Sequence, residues 1–298
     1  MILRIGTRGS RLALAQAEDV ASRLRATGNG GELVPIETSG DRGVPADASP
    51  QGLKGLFVTE IVRALIDGDV DLAVHSAKDL PAENAEGVAL TAVPPRESAL
   101  DLLVSRDGAV APGAVVGTSA VRRRAQLAAS RPELTVRELR GNVDTRLAKL
   151  EAEEVDALVL AEAGLARLGI TPAHATTLAL EEMVPAPGQG ALAIQCRAGD
   201  ERTRVALDLL DDVPSRTALE AERALMLRLG GGCALPLGGY AIVRRRDVHL
   251  TGLVASPDGA RIARAEALAP SPHDAAARVA DDLLAQGAGE ILAAVREG

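Results

Sequence analysis

Three constellations in this 298-residue chain have residue types suited to chemistry. The first is a thiol. Cys233 stands in "LGGGCALPLGGY" (229–240), between three glycines and a proline. A thiolate is a strong nucleophile when it is exposed near positive charge. Flanking glycines remove side-chain cover and let a ligand approach the backbone. No upstream His-Asn arrangement of protease type is present, so acyl transfer is not indicated. A small buried cysteine in a hinge is the other reading, and the local residues leave both open. The second is "VHSAKDLP" (74–81), where a strand-like run ends in Lys78 and Asp79 before a proline. Ligands of open α/β sheets gather at the carboxyl ends of strands. There the pair could serve as anion clamp and acid/base; alternatively it is a surface ion pair at a turn. His75 in the same run reads as a hydrogen-bonded strand residue rather than a catalyst.

The third constellation is cationic. Arg8 and Arg11 flank one helix start, Arg122, Arg123 and Arg124 fill the first turns after "GTSA", and Arg140 and Arg146 bracket "RGNVDTR". A helix N-terminus already presents free N–H groups and the positive end of its dipole, so arginine there is unfavourable unless an anion binds. Three such starts predict a ligand with several carboxylates or phosphates, which the planar guanidinium pairs with in two-pronged fashion. Pairing with the chain's own acids, or simple solvation, is the alternative for any single arginine.

The elements that must position these groups follow from hydrophobic period and turn residues. "ILRIG" (2–6) reads as a strand, "SRLALAQAEDVASRLRAT" (10–27) as a helix capped by Ser10, and "ELVPIET" (32–38) as a second strand. A Gly-, Pro- and Asp-rich loop (40–55) follows, then the helix "LFVTEIVRALIDGD" and the strand "VDLAVHS". This βαβα rhythm predicts an α/β domain with a largely parallel sheet. The rhythm then recurs. "RIGTRGSRLALAQA" is similar to "VVGTSAVRRRAQLA", and "LIDGDVDLAVHSAKDLP" to "LEAEEVDALVLAEAGLA", which predicts two related α/β domains. "GALAIQCRAG" (190–199) reads as a strand, with Cys196 packed in a core, followed by two helices, "DERTRVALDLLDD" and 214–230. Three strand-like runs and one final helix (271–297) then predict a separate α+β domain with Cys233 at its entrance.

Composition narrows the function. Aromatic residues are 1% of the chain, so the cores must be aliphatic and modules that stack bases on rings are excluded. A formal charge of −8 excludes a general nucleic-acid binder. No apolar run is long enough to cross a membrane and "MILRIGTRGS" lacks a signal-peptide core, so the chain reads as cytoplasmic, with free thiols. Two distant cysteines and four scattered histidines offer no metal-ligand spacing.

Taken together, "LRIGTRGSRLALAQA", "KGLFVTEI", "DLAVHSAKDLP", "VGTSAVRRRAQL", "LRGNVDTRL", "PAPGQGALAIQCR" and "ERALMLRLGGGCALPLGGY" resemble the porphobilinogen deaminase (hydroxymethylbilane synthase) family, end to end and in its order. The resemblance implies two periplasmic-binding-protein-like, doubly wound domains, 1–94 with 190–213 and 95–189, and a small α+β domain, 214–298. It implies that Cys233 carries a dipyrromethane cofactor through a thioether, as primer for joining four porphobilinogen molecules into hydroxymethylbilane with release of ammonia. It places the acid/base group on Asp79 and the cofactor's carboxylates on Lys78, Thr118, Ser119, Arg122, Arg123 and Arg146. The incoming substrate falls to Arg8, Ser10 and Arg140, with Gln189 in the cleft. Lys54 and Phe57 fall in and beside a flexible loop over the cleft, and Arg167 at a position linked to chain elongation. No helix or exposed edge demands a partner, so the chain reads as a monomer working on the small molecule porphobilinogen, with no metal, membrane or nucleic acid. Ala120 stands where members commonly have a second serine, Pro50 where some have a loop lysine, and Leu235 where a β-branched residue is usual. The rival readings are a non-catalytic anion-binding protein on the same kind of fold and a transferase without a covalent primer.

Overall fold

A computed structural model describes residues 1–39, 58–230 and 235–297. The chain begins with β1 (Ile2–Arg8), α1 (Arg11–Ala26), β2 (Gly30–Ile36), α2 (Thr59–Asp67) and β3 (Leu72–Ser76), the last running into a single 3-10 turn, Ala77–Asp79. β4 (Val88–Ala92), β5 (Asp101–Ser105), β6 (Val115–Gly117), α3 (Val121–Ser130), β7 (Thr135–Arg137) and α4 (Val143–Glu151) follow. Next come β8 (Ala157–Ala161), α5 (Glu162–Arg167), β9 (Ala175–Leu178), β10 (Leu192–Arg197), α6 (Glu201–Asp208) and α7 (Val213–Arg228). β11 (Leu237–Arg244), β12 (Asp247–Ala255), β13 (Ile262–Ala269), α8 (Pro272–Ala285) and α9 (Ala288–Glu297) complete it.

Two five-stranded sheets have the same plan. The first is ordered β2-β1-β3-β10-β4 and the second β7-β6-β8-β5-β9. In each, the first three strands are parallel and one strand, β10 or β5, runs antiparallel to both its neighbours. The repeated sequence segments occupy equivalent places: β1–α1 matches β6–α3, and β3 with its turn matches β8–α5. The sheets are thus mixed where the βαβα rhythm alone predicts mostly parallel pairing. Antiparallel neighbours need no crossover helix, and β10 and β5 are the strands on either side of the passages between the sheets.

The cores are aliphatic, as the composition requires: the largest fully buried side chains are all Leu, Ile or Met. Helix α1 begins where the Ser10 side chain accepts a hydrogen bond from the Ala13 N–H, and it buries Ala13, Ala17, Val20, Ala21 and Leu24 at helical spacing. That stripe packs with Leu3, Ile5, Leu72 and Ile194 on one face of the first sheet. Each leucine, isoleucine or valine among them contributes about 1.5–3 kcal/mol on leaving water, and each alanine less.

The third sheet, β11-β12-β13, is antiparallel. Helices α7, α8 and α9 pack on it around Leu225, Leu250, Val279 and Ile291. The predicted single final helix is two. Gln286 caps α8, and Gly287 then takes φ 87°, which reverses the chain before α9. Among the described residues no helix is long and apolar enough to cross a membrane.

The chain passes between the first two sheets twice, and the two passages lie side by side. Glu97 N–H donates to Gly190 O at 3.3 Å, and Arg96 Nε to Gln189 O at 2.9 Å. Gly190 has φ +83°, and a Cβ there would sit 2.5 Å from Glu97 O. Glycine is required at that crossing on both counts.

Candidate active site

The Lys78–Asp79 pair sits where β3 ends. The 3-10 turn closes with Leu80 N–H donating to Ala77 O, and buried Leu80 anchors it before Pro81 stops further pairing. The return passage presses on this turn from behind. Gly188 (φ +76°) lies so close that a Cβ would be 2.8 Å from Ala77 C and Lys78 N. "PGQG" therefore fixes where Lys78 and Asp79 point.

Two cavities meet at that pair. The larger, about 330 Å³, is lined by Lys78, Asp79, Ser119, Ala120, Arg122, Arg123, Arg146 and Gln189, and closed by Met226, Leu235 and Leu237. The smaller, about 80 Å³, is lined by Arg8, Ser10, Gln16, His75 and Ser76, and again by Lys78 and Asp79. Of the residues assigned from the sequence to carboxylate holding, Ser119, Arg122, Arg123 and Arg146 line the larger chamber alone; of those assigned to the incoming unit, Arg8 and Ser10 line the smaller alone; Lys78 and Asp79 are on the wall of both. Ala120 is the N-cap of α3 and offers no side-chain cap, so the first turn of that helix faces the larger cavity with its backbone N–H groups uncapped by a side chain. Ala120 N–H itself donates to Thr118 Oγ1 at 3.2 Å; Thr118 is buried beside the cavity rather than lining it.

The charges are crowded. Burial, and then repulsion from Arg123, lower the Lys78 pKa to about 8, although Asp79 and Asp101 pull it back up. Burial and Arg123 lower Arg146 to about 10. Both shifts mean that the chamber holds its cations at a cost, which an anion would offset. His75 is buried and its pKa falls to about 4, so it is neutral near pH 7. Two side chains that line the larger chamber carry buried polar atoms without partners, Arg123 Nε and Gln189 Oε1. Arg146 Nη2 donates to Ser119 Oγ at 3.0 Å, which joins the starts of α4 and α3 at one rim.

The remaining sequence candidates lie elsewhere. Gln189 lines the larger chamber, not the smaller. Arg140 lines neither, and its Nε donates to Glu138 at 2.6 Å. Arg167 Nη2 donates to Gly190 O at 2.7 Å, bracing the return passage. Arg11 pairs with Asp144 at 2.6 Å, so the anion at that helix start is one of the chain's own acids. Arg124 is exposed. Cys196 is a buried thiol 3.0 Å from Thr91 Oγ1, as read from its alternation in the strand. Cys233, Lys54, Phe57 and Pro50 lie outside the described residues.

Sequence reasoning missed two acids. Asp101 opens β5, is fully buried, and receives Arg122 Nη2 at 2.9 Å, Arg123 Nη2 at 2.8 Å and Gln189 Nε2 at 2.7 Å. Glu222 of α7 is fully buried against Arg96. The available signal for Asp101 was a lone acid heading the apolar run "DLLV"; for Glu222, an acid on the Ala/Leu face of a helix.

Comparison of sequences with known proteins points to one family. Residues 3–205 match the family model described as porphobilinogen deaminase, dipyromethane cofactor binding domain, and residues 217–285 match porphobilinogen deaminase, C-terminal domain. The porphobilinogen deaminase of Brevibacillus brevis is 45% identical, over 98% of this chain and 97% of its own. That of Syntrophotalea carbinolica is 46% identical, over 98% and 96%. Among solved structures, the BvgS VFT2 domain (double mutant) of Bordetella pertussis aligns at TM-score 0.42 and 14% identity, over 75% of this chain and 92% of that one. An arginine-specific periplasmic binding protein of Salmonella typhimurium also gives 0.42 and 14%, over 70% and 90%. At those values the likeness adds nothing to the sheets described above.

Proposed function

The chain belongs to the porphobilinogen deaminase family, and on that premise we propose how its residues divide the work. The activity is the condensation of four porphobilinogen molecules into the linear tetrapyrrole hydroxymethylbilane, with release of ammonia, in tetrapyrrole biosynthesis. The cofactor is dipyrromethane.

The larger chamber fits that group. A dipyrromethane with acetate and propionate arms brings four carboxylates, and the chamber offers Lys78, Arg122, Arg123, Arg146 and the start of α3. The unpartnered Arg123 Nε adds a donor there. When bound, dipyrromethane supplies the pyrrole carbon to which the first unit is joined. Cys233 is its anchor, and Leu235, two residues on in the sequence, lines that chamber. Ser119 donates at the rim, and Thr118 shapes the turn that presents it.

The smaller chamber receives porphobilinogen. Arg8 and Ser10 meet its carboxylates, and Arg140 and Gln189 guide the unit toward the wall between the chambers. Asp79 is the acid/base group. Its carboxylate stabilises the cation left when ammonia departs and accepts a proton when the new carbon–carbon bond forms. Lys54 and Phe57 close over the site, and Arg167 steadies the return passage as the chain lengthens. The chain acts as a cytoplasmic monomer without metal. Its domains are 1–94 with 190–213, 95–189 and 214–298.

One observation carries this reading: Asp79 lines both chambers, so one carboxylate reaches the bound chain and the arriving unit. Intact mass tests it. Wild-type protein should weigh two pyrrole units more than its sequence, and Cys233→Ser should not. An unmodified mass in active wild type would overturn the anchor.

A further inference from the structure

The buried carboxylate behind the larger chamber is used by none of the steps above. Asp101 does not line the chamber, yet all three side chains that donate to it do: Arg122, Arg123 and Gln189. They come from two separate segments, the start of α3 and the return passage. Each arginine spends its other terminal nitrogen on a backbone carbonyl, Arg122 Nη1 on Val184 O at 2.6 Å and Arg123 Nη1 on Val159 O at 2.9 Å. Arg123 keeps Nε unbonded, and Gln189 keeps Oε1 unbonded. The two guanidiniums hold the Asp101 carboxyl far below the usual range despite its burial, so it stays ionised at any working pH.

We propose that Asp101 is a positioning residue that sets the charge of the chamber floor: it cancels one of the two arginine charges and leaves a single net positive charge facing the ligand's carboxylates. A floor of two uncancelled arginines would hold each carboxylate more firmly. The primer itself stays, but each unit joined beside Asp79 must be drawn across this floor before the next can enter the smaller chamber, and a chain gripped that firmly could not advance. The floor is therefore balanced for passage rather than for maximal affinity. This rests on reading the larger chamber as the cofactor site.

Two substitutions give opposite rankings for charge and for shape. Asp101→Asn keeps the size and removes the charge, while Asp101→Glu keeps the charge and adds a methylene. The readout is the intact-mass ladder of enzyme carrying bound pyrrole units after limiting porphobilinogen, with melting temperature beside it. The expected result is a ladder held at its shorter species and turnover slowed roughly tenfold in Asp101→Asn, the scale of a lost charge-assisted hydrogen bond. Asp101→Glu should keep the wild-type ladder even where its melting temperature falls. Asp101→Asn with a wild-type ladder, or Asp101→Glu shifted together with it, would overturn the proposal. If Asp101→Asn does not accumulate as folded protein, Asp101→Glu decides alone: a wild-type ladder supports the charge role and a shifted one refutes it. Arg123→Leu separates the underlying reading, because a wild-type ladder and adduct mass in that variant would remove the chamber as cofactor site whatever Asp101 does.

Discussion

Arg96 and Glu222 meet as a buried two-pronged ion pair, Nη1 to Oε1 at 2.6 Å and Nη2 to Oε2 at 3.2 Å. The same carboxylate accepts the Gly188 N–H at 2.6 Å and the Ala241 N–H at 2.7 Å. One side chain of α7 thereby ties together both passages between the sheets and the first strand of the third sheet. Glu222→Ala leaves Arg96 and two backbone donors facing apolar surroundings. Urea unfolding should show a loss of about 3–5 kcal/mol. Arg96→Ala should cost less, since Glu222 retains its two backbone donors.

Asp79→Ala should lower kcat by roughly 10²–10⁴, the range for loss of a general acid/base. Its melting temperature should match wild type, because Asp79 is partly exposed and makes none of the core contacts. Steady-state kinetics with porphobilinogen, read beside a thermal melt, checks both halves.

Lys78 gives a pH signature with a defined sign. Its folded pKa is near 8 and its ordinary value 10.5, so between those values the unfolded chain binds more protons. Stability of cofactor-free Cys233→Ser protein should therefore rise with pH across that window, and Lys78→Met should remove the rise. A bound polycarboxylate favours the charged ammonium, so wild-type protein carrying the cofactor should show a weaker rise. Chemical unfolding at pH 7, 8, 9 and 10 makes the comparison.

Arg140 and Arg146 should separate in their effects. Arg146 lines the larger chamber and bonds Ser119, whereas Arg140 lines neither chamber and pairs with Glu138. Arg146→Leu should lower the fraction of protein bearing the two-pyrrole adduct. Arg140→Leu should leave that fraction intact and raise KM for porphobilinogen, severalfold to tenfold for one charged contact. Adduct mass and KM on the same preparations test the split.

The ion pair Arg11–Asp144 links α1 to α4, yet both side chains are well exposed. A double-mutant cycle should return a coupling of at most about 1 kcal/mol, falling further in 1 M salt. A coupling that persists in salt would mean the pair is more enclosed than its exposure indicates.

Much of this was legible in the sequence because period and turn chemistry act locally. Ser10 announced α1, the Gly-Thr turns announced the repeat, and the aliphatic composition announced the cores. The Lys78–Asp79 turn was legible because it follows a strand end. What stayed hidden depends on partners far away in the chain. Asp101 meets arginines some twenty residues on and Gln189 88 residues on, so nothing near it marks it as a counter-ion. The arginines were read as waiting for a ligand, and for Arg11, Arg122, Arg123 and Arg140 the structure also supplies an internal acid. The break at Gly287 was missed because the apolar spacing on both sides suits one helix, and only the left-handed turn shows where it stops.

The shared strand order of the two sheets has an unequal consequence during synthesis. The second sheet is built from one unbroken stretch that ends at Leu178, whereas the first waits for β10 to enter between β3 and β4. About 100 residues separate the end of β4 from the start of β10. At roughly 5–20 residues per second a ribosome needs about 5–20 s to supply that strand. For that interval the edges of β3 and β4 are unpaired, in a nascent chain whose later half can already fold. The order of emergence thus makes the first sheet close after the second, and leaves it in the meantime the part that a chaperone has most reason to hold.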